Sequence, residues 1–332
     1  MKIIKIIFYI IFISLNTTNV VIGEDFDSWV ISFKDYALKK GISKETLDKT
    51  MSKVKFLPKV IKYDRYQPEF YEDTNTYVSK RSSDVKLEKG IDLFNQNNSL
   101  IINVESKYNV EKELLLSLMG IETNFGKYLG KMDILSSLAT LSFDKRRSEF
   151  FTNELIIILQ LIDAGVVNSD ILYGSWAGAF GNFQFMPSTI NNYAIDYNNY
   201  DLIDLKSTED SFASAANYIN KLGWKKNGPC FYKIKLKENI PAKYLNTSAK
   251  KIKNKRKFKY FKKYILNSKN LKVDENLITG IITPDREIVE NSKLLEPAYL
   301  VFDNYELILK WNRSLRFALA VCTLKDKFKN EL

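Results

Sequence analysis

The segment from Val110 to Phe125 constrains the fold of this chain more than any other. Leu115, Leu118 and Met119 lie at helical spacing on one face, and most of the other positions between 114 and 121 are apolar too. A helix that is apolar on every side is buried rather than exposed. We therefore predict a central helix that the rest of the chain surrounds.

One carboxylate, Glu122, continues the apolar face near the end of this helix. Burying an unpaired carboxylate costs several kcal/mol, so the residue needs a reason to be there. Loss of solvent and the negative end of the helix dipole would both raise its pKa, as a general acid requires. A structural ion pair with Arg or Lys is the alternative, and the helix pattern alone leaves both open.

The 332 residues contain no histidine. This absence excludes Ser-His-Asp and Cys-His catalysis and any imidazole metal site, and it leaves acid–base chemistry to Glu, Asp, Tyr or Lys. The formal net charge of +11 suits an anionic partner, although a lysine-rich composition bias would give the same value.

The N-terminus has the pattern of a secretory signal peptide. Lys2 and Lys5 precede an apolar run over residues 6–15, which is short for a membrane span. Residues 21–23 offer a small-residue cleavage site before the acidic stretch that begins at Glu24. We predict a signal peptide over residues 1–23 and a periplasmic protein, with an uncleaved anchor as the alternative. No cysteine lies near the cleavage point, so we expect no lipoprotein; Cys230 and Cys322 either pair or stay as buried thiols.

The order of elements predicts a mainly α (α+β) chain. Helical patterns include a long polar helix over 76–95 and a closing helix over 305–327, whereas CFYKIKLK from Cys230 and NLITGIITPDREIVE over 276–290 have the character of strands. Between these strand regions, residues 250–263 form a dense basic run with interspersed aromatics. The run either contacts an anionic surface or is a solvated strand or loop, and we favour the second interpretation.

The glycine-rich segment 173–190 combines sharp turns with aromatic faces and neutral polar groups. Gly174, Gly178 and Gly181 permit close backbone approach, and Ser175 and Gln184 supply hydrogen-bonding groups. Aromatic faces stack on sugar rings, and amides and hydroxyls bind sugar hydroxyl groups. The segment therefore suggests a carbohydrate site, with a tightly packed turn as the alternative, and it contains no phosphate-loop motif.

Taken together, six segments resemble the lytic murein transglycosylase B family. They are QPEF at 67–70, GIETNFGKYLG at 120–130, LATLSFDKRRSEFF at 138–151, GSWAGAFGNFQFMPS at 174–188, AANYINKLGW at 215–224 and WNRSLRFALAV at 311–321. The resemblance implies a lysozyme-like helical core with an additional helical part and a small β-rich insert. It also implies cleavage of the β-1,4 bond between N-acetylmuramic acid and N-acetylglucosamine in peptidoglycan, with a 1,6-anhydro product end.

The patterns and the resemblance predict five parts of the chain. These are the signal peptide 1–23, an N-terminal helical part 24–108, the lysozyme-like catalytic core 109–229, the basic β-rich insert 230–303 and a C-terminal helix 304–332 that returns to the core.

By resemblance, Glu122 is the family's catalytic acid and base. The resemblance also implies a set of residues that bind the substrate or line the sugar cleft: Tyr77, Ser175, Gln184, Tyr218 and Asn312.

Some members of the family carry a calcium loop that resembles an EF-hand. Here Asp196 and Asn198 match the first two ligand positions and Asp210 could reach back, but Tyr200 replaces an oxygen ligand and Asp201 replaces the turn glycine. We therefore expect no calcium and no other cofactor.

A single carboxylate suffices when the substrate supplies its own nucleophile. Asp133 and Asp144 are near Glu122 in sequence but lie in no apolar stripe, and the cations after Asp144 suggest a charge pair. The rivals are a lysozyme-type hydrolase, a non-catalytic glycan-binding protein and a nucleic-acid binder. We expect a monomer that binds peptidoglycan strands and no nucleic acid, and we leave open whether it binds other wall enzymes.

Overall fold

The computed structural model describes residues 25–66, 72–286, 288–289 and 295–332. The predicted signal peptide and the QPEF segment at 67–70 lie outside the described residues.

Most of the described chain is helical. The helices are α1 (Phe26–Lys39), α2 (Lys44–Thr50), α3 (Pro58–Arg65), α4 (Thr74–Arg81), α5 (Asp84–Gln96), α6 (Asn98–Tyr108), α7 (Lys112–Thr123), α8 (Ile134–Phe143), α9 (Ser148–Asp163), α10 (Pro187–Tyr193), α11 (Thr208–Lys221), α12 (Phe258–Phe261), α13 (Asp303–Trp311) and α14 (Leu315–Glu331). The strands are β1 (Met132–Asp133), β2 (Tyr173–Gly174), β3 (Phe231–Ile234), β4 (Leu245–Asn246), β5 (Arg256–Lys257), β6 (Ile278–Ile282) and β7 (Ala298–Val301).

Helix α7 is the predicted central helix. Every residue from Leu114 to Gly120 is buried, and α7 packs against α5, α6, α11 and, most extensively, α14. The helix ends at Asn124, whose left-handed backbone lets its N–H donate to the carbonyl oxygen of Gly120. The helix therefore ends just after Glu122.

Two helices that the sequence predicts as continuous are broken, and those predictions were wrong. The helix over 76–95 is divided into α4 and α5 at Ser83, whose extended backbone takes the N-cap position of α5. The helix over 305–327 is divided into α13 and α14 at Asn312–Ser314, where the Ser314 hydroxyl accepts from the Phe317 N–H at 3.2 Å. Helical periodicity continued across both breaks, so it could not locate them.

The predicted strand regions both form, and they belong to one small sheet. Its strand order is β3-β7-β6-β4, with β5 pairing β6; β4 and β6 are parallel and the other pairs are antiparallel. Phe258 and Phe261, from the basic run, are buried in a separate hydrophobic core beneath this sheet, whereas Arg256 and Lys257 are exposed. These two phenylalanines thus stabilise the insert, whereas Tyr260 and several cations of the run are exposed.

A disulfide and a buried ion pair are among the contacts that attach the sheet to the helices. Cys230, just before β3, forms a disulfide with Cys322 in α14. Asp285, which follows β6, is buried, pairs with Arg316 of α14 at 2.9 Å and accepts from the backbone N–H of Thr74, the first residue of α4. The pairing of the two cysteines, left open by the sequence, is therefore present.

Candidate functional site

Glu122 lies in the last turn of α7 with its side chain half-buried. The indole N–H of Trp311, the last residue of α13, donates to Oε1 of Glu122 at 3.0 Å. This contact depends on the break between α13 and α14, because the break ends α13 at Trp311. The carboxylate is thus held by a neutral donor from an element 189 residues away in sequence.

An aromatic cluster extends from Trp311 along one side of Glu122. Tyr218 of α11 stacks on Trp311 with ring centroids 5.1 Å apart, and Tyr193 stacks on Tyr218 at 4.4 Å. Phe183 and Phe185 meet Trp311 edge-on at 6.3 and 5.3 Å. Aromatic rings in this arrangement provide apolar faces next to an acid, which suits a sugar ring.

Tyr218 contributes a neutral phenol to this cluster. Burial, and to a smaller degree the neighbouring Tyr193, raises the pKa of Tyr218 above its ordinary value. Its hydroxyl donates to the carbonyl oxygen of Lys310 at 3.4 Å. The hydroxyl therefore stays protonated at neutral pH and can still accept a hydrogen bond.

The glycine-rich segment folds into tight turns beside the cluster. Ser175 and Ala179 exchange two hydrogen bonds: the Ser175 N–H donates to the Ala179 oxygen at 2.8 Å, and the Ser175 hydroxyl accepts from the Ala179 N–H at 3.0 Å. A Cβ on Gly174 would lie 2.2 Å from the Ala179 oxygen, so this turn requires glycine. Part of the segment is therefore a tightly packed turn, which was the alternative interpretation of the sequence. The same segment carries the candidate polar side chains of Ser175 and Gln184.

Gln184 connects this segment to the loop that follows Glu122. Its backbone has a positive φ of 50°, and its amide nitrogen donates to the carbonyl oxygens of Gly181 at 2.9 Å and Leu129 at 3.2 Å. Thr123, adjacent to Glu122, donates to the Asn182 oxygen at 2.8 Å. The two segments that carry the sequence motifs are therefore joined by hydrogen bonds.

The remaining predicted residues lie on α4 and after α13. Asn312 follows Trp311 directly, is half-buried, and its backbone N–H donates to the Ile308 oxygen at 3.0 Å. Tyr77 is buried on α4, with the Arg81 guanidinium 3.7 Å above its ring. The described contacts thus bring Glu122 and Tyr218 together through Trp311, with Asn312 adjacent in sequence, and place Ser175 and Gln184 in the neighbouring turns.

Two residues near Glu122 were missed by the sequence analysis. Trp311 was part of a motif but had no assigned role. Lys86 of α5 donates from its ammonium group to the Gly120 oxygen at 2.5 Å and lies 3.4 Å from Asn124 Oδ1, so it caps the helix that carries Glu122. Burial lowers the pKa of Lys86. Only the three-dimensional contact distinguishes Lys86 from Lys80 and Lys89, the other lysines of the predicted polar helix.

The other two candidate carboxylates have structural roles. Asp133 caps α8 by accepting from the Ser136 N–H at 3.0 Å. Asp144 pairs with Arg65 at 2.9 Å, which confirms that it is charge-paired. The partner differs from the expected one, because Arg146 and Arg147 bind the buried Asp64 instead.

The calcium-like loop is closed by its own hydrogen bonds. Asp196 accepts from the N–H groups of Tyr200 at 3.2 Å and Asp201 at 2.9 Å. Asp210 is buried and accepts from the N–H groups of Tyr197 at 2.8 Å and Asp204 at 2.9 Å. The Asn198 side-chain oxygen is buried with no hydrogen-bond partner in the described structure, and the described part of the chain contains no cluster of three or more carboxylates suited to a metal. The residues present thus form a loop that its own hydrogen bonds hold, with Tyr200 and Asp201 where an EF-hand has an oxygen ligand and a glycine.

None of the helices in the described part of the chain combines the length and the apolar character that crossing a bilayer requires.

Comparison with known proteins identifies relatives along most of the chain. Residues 25–326 match the family described as the transglycosylase SLT domain. Membrane-bound lytic murein transglycosylase B from Escherichia coli K12 is 36% identical over 151 residues, which are 45% of this chain and 42% of that protein. The chain thus aligns with less than half the length of this relative.

Solved structures match over a larger share. SltB3 from Pseudomonas aeruginosa, crystallised with NAG-NAM-pentapeptide, is 29% identical with a TM-score of 0.80, covering 92% of this chain and 80% of that chain. The Escherichia coli lytic transglycosylase Slt35, in complex with calcium, is 24% identical with a TM-score of 0.74, covering 91% and 93%, and this likeness concerns the fold. The predicted fold class and family resemblance are confirmed. The chain belongs to the transglycosylase SLT domain family.

Proposed function

We propose that this protein is a lytic transglycosylase that cleaves the β-1,4 bond between N-acetylmuramic acid and N-acetylglucosamine in peptidoglycan. The observation that carries the proposal is the contact between Glu122 and Trp311 at the end of an aromatic cluster, in a chain of the transglycosylase family. The printed names of its relatives, and a structure of SltB3 with NAG-NAM-pentapeptide, support peptidoglycan strands as the substrate.

In the proposed reaction Glu122 acts twice. It first donates a proton to the glycosidic oxygen, so that the bond from C1 of the muramic acid breaks and N-acetylglucosamine leaves with a free 4-hydroxyl. The resulting carboxylate then removes the proton from the C6 hydroxyl of the same muramic acid. The C6 oxygen forms a new bond to C1, which gives the 1,6-anhydro end, and Glu122 is protonated again without consumption of water.

The structural roles of Asp133 and Asp144 support a mechanism with one acid. Ordinary glycosidases use two carboxylates, one of which activates water or attacks C1. Asp133 caps a helix and Asp144 pairs with Arg65, so both are occupied elsewhere. An intramolecular hydroxyl removes the need for the second group, because it is held next to C1 by the sugar itself.

Other residues would bind and orient the sugar. We assign Tyr218 and Trp311 to stacking, because their parallel rings lie beside Glu122. The remaining assignments, to hydrogen bonds with sugar hydroxyls and the N-acetyl group, rest on the family resemblance and concern Tyr77, Ser175, Gln184 and Asn312.

We further propose that the protein acts in the periplasm as a monomer, without nucleic acid. Peptidoglycan lies outside the cytoplasm, and the basic and apolar pattern at the N-terminus supports export. The signal peptide and the monomeric state remain predictions, as does the five-part division of the chain.

We also propose that the enzyme works without calcium. Asp196 and Asp210 already close the loop through four backbone hydrogen bonds, so an ion is not needed to hold its shape. The thermal unfolding midpoint should be the same, within about 1 °C, with millimolar calcium or with a chelator, since a ligand of the native state raises this midpoint by mass action. A clear rise with calcium, absent with magnesium, would contradict this.

Mass spectrometry of digested, purified peptidoglycan tests the proposed function. We expect muropeptides with 1,6-anhydro ends, which are lighter by one water than hydrolysis products. Reducing ends would indicate a lysozyme-type hydrolase, and no soluble products would indicate a binding protein.

A further inference from the structure

We propose that the outer layer of the β-rich insert binds an anionic membrane surface through three lysine–tyrosine pairs. The positive charge of the chain is concentrated in this part: residues 230–272 contain fourteen lysines and one arginine but a single acidic residue, Glu238. Their net charge of +14 exceeds the +11 of the whole chain, so the other residues together carry −3. A general lysine bias would affect the whole chain, so it does not explain a surplus confined to the insert.

The layers of the insert place this surplus away from the helical core. Along β7, Tyr299 packs into the hydrophobic core of the helices, whereas Leu300 packs into the insert's own core. Phe258 and Phe261 of α12 cover the insert's core on the side opposite to the helices. The exposed side chains of α12 therefore belong to an outer surface that lies across the insert from the helices.

Three lysine–tyrosine dipeptides meet in this outer layer. In each dipeptide the lysine ammonium lies over the ring of the next residue, 5.4 Å from the ring centroid at Tyr244, 5.7 Å at Tyr260 and 4.9 Å at Tyr264. The rings of Tyr244 and Tyr264 are 6.3 Å apart, and Tyr244 also meets Phe261 of α12 edge-on at 5.2 Å. We call this surface the basic face; it consists of Lys243, Tyr244, Lys259, Tyr260, Lys263 and Tyr264.

The lysines of the basic face are not neutralised by the protein. Lys243, Lys259 and Lys263 are exposed, and they form no ion pair with any residue that the structure describes. Lys262, which is adjacent in sequence, instead pairs with Glu275 at 2.6 Å. Three exposed cations on one surface attract a leaflet that contains anionic lipids, because each lysine near such a leaflet adds to the attraction.

The side-chain types favour a membrane over another polyanion. Lysine is a compact charge that attracts phosphate without a fixed geometry, whereas arginine, which recognises bases and phosphates through paired hydrogen bonds, occurs once in 230–272. The rings of Tyr244 and Tyr264 are half-buried and partly covered by lysines, which disfavours stacking on a base or a sugar. At the level of lipid headgroups, by contrast, tyrosine rings lie at the apolar boundary and lysine ammonium groups reach the phosphates.

A vesicle-binding measurement tests the inference. The protein is produced from Glu24, because the apolar run at 6–15 would itself bind lipid. Sedimentation compares vesicles of pure phosphatidylcholine with vesicles in which about one third of the lipid is phosphatidylglycerol. We expect binding to the anionic vesicles alone, weakened by salt, which screens exposed charges. Equal binding to both kinds of vesicle, or no binding to the anionic ones, would overturn the inference.

A triple variant of the basic face carries Lys243→Gln, Lys259→Gln and Lys263→Gln. It should bind the anionic vesicles about 100-fold more weakly than the wild type, since each lysine near an anionic leaflet contributes about fivefold. Its thermal unfolding midpoint should match that of the wild type, because the three side chains are exposed.

The matched control carries Lys39→Gln, Lys59→Gln and Lys89→Gln, which remove the same charge from exposed positions of α1, α3 and α5. This variant should bind the vesicles as the wild type does. If both triple variants lose binding equally, net charge explains the attraction and the basic face is not the site. If the variant of the basic face loses binding to purified peptidoglycan or to a DNA duplex but keeps binding to vesicles, the face binds another polyanion and the inference is wrong.

Discussion

At the scale of single residues, the site depends on the pairing of Glu122 with Trp311. The indole N–H holds the carboxylate at 3.0 Å, and the indole ring is part of the aromatic cluster proposed to bind sugar. One side chain therefore connects the proposed acid to the proposed sugar surface. A hydrogen bond between these groups fixes the acid more closely than packing alone.

Replacing Trp311 with Phe should lower the rate of peptidoglycan cleavage about tenfold, the effect of losing one hydrogen bond to a charged group. The variant keeps an aromatic ring but loses the N–H donor. The rate is measured as anhydro-muropeptide release over a range of pH, and we expect the shape of the pH profile to change because the partner of Glu122 is removed.

Trp224→Phe is the matched control. Its indole N–H also donates to a glutamate, the buried Glu111, but at the opposite end of α7. This variant should lose about 1–3 kcal/mol of unfolding free energy and little activity per folded molecule. If Trp311→Phe retains the wild-type rate and pH profile, the indole N–H has no part in the reaction.

Glu122 could be singled out from the sequence as a candidate, because an ionisable residue on an apolar helical face is unusual wherever it occurs. The donor could not, because Trp311 reaches Glu122 only after the chain has folded. The same is true of Asp144: the sequence indicated a charge pair, but the adjacent arginines bind Asp64 instead. Local sequence thus identifies the need for a partner but does not identify the partner.

At the scale of elements, the end of α7 determines where Glu122 lies. The helix ends with left-handed Asn124, and Lys86 of α5 donates to the Gly120 oxygen one turn earlier. A cation at this position satisfies a terminal carbonyl and interacts favourably with the negative end of the helix. Helix α5 thereby supports the element that carries the acid.

Replacing Lys86 with Met should lower the free energy of unfolding by about 1–2 kcal/mol, because a charged hydrogen bond to a helix end is lost. Activity should fall as well, since the last turn of α7 is less firmly held. Urea unfolding and the cleavage rate at a temperature where the variant is folded measure the two effects.

Lys89→Met provides the comparison, because Lys89 is exposed on the same helix. We expect that variant to be within about 0.5 kcal/mol of the wild type. If Lys86→Met and Lys89→Met behave alike, Lys86 does not support α7.

The positions of the helix breaks were harder to predict than the helices themselves. Serines at 83 and 314 take N-cap positions, but serine also occurs within helices, so a periodic pattern alone continued through both. The second break matters most, because it ends α13 at Trp311, the residue that donates to Glu122. The geometry of the site thus comes from an interruption that periodicity does not reveal.

At the scale of the whole molecule, the insert has its own small core and is attached to the helical core by a disulfide and a buried ion pair. Cys230 and Cys322 are 92 residues apart in sequence, and Asp285 joins Arg316 to the start of α4. Spacing between two cysteines cannot establish a pair, because their distance depends on the fold. The strands of the insert, by contrast, were predictable from alternation within a few residues.

Replacing both cysteines with serine should lower the free energy of unfolding by about 2–4 kcal/mol, since the disulfide closes a long loop in the unfolded chain. Denaturant unfolding with and without a reducing agent measures this. The wild type should lose stability when reduced, and the double variant should not respond. If reduction leaves the stability of the wild type unchanged, the disulfide between Cys230 and Cys322 does not stabilise the fold.

Glu122 alone performs both proton transfers in the proposed reaction, and the variant Glu122→Gln tests this role. Release of anhydro-muropeptides from purified peptidoglycan is measured by mass spectrometry for the wild type, for Glu122→Gln and for Glu113→Gln, which changes another glutamate of α7 that pairs with Lys112. We expect a loss of about 100- to 10,000-fold for Glu122→Gln, with folding and glycan binding retained, and near-normal release for Glu113→Gln. Near-normal anhydro product from Glu122→Gln would mean that another group transfers the protons.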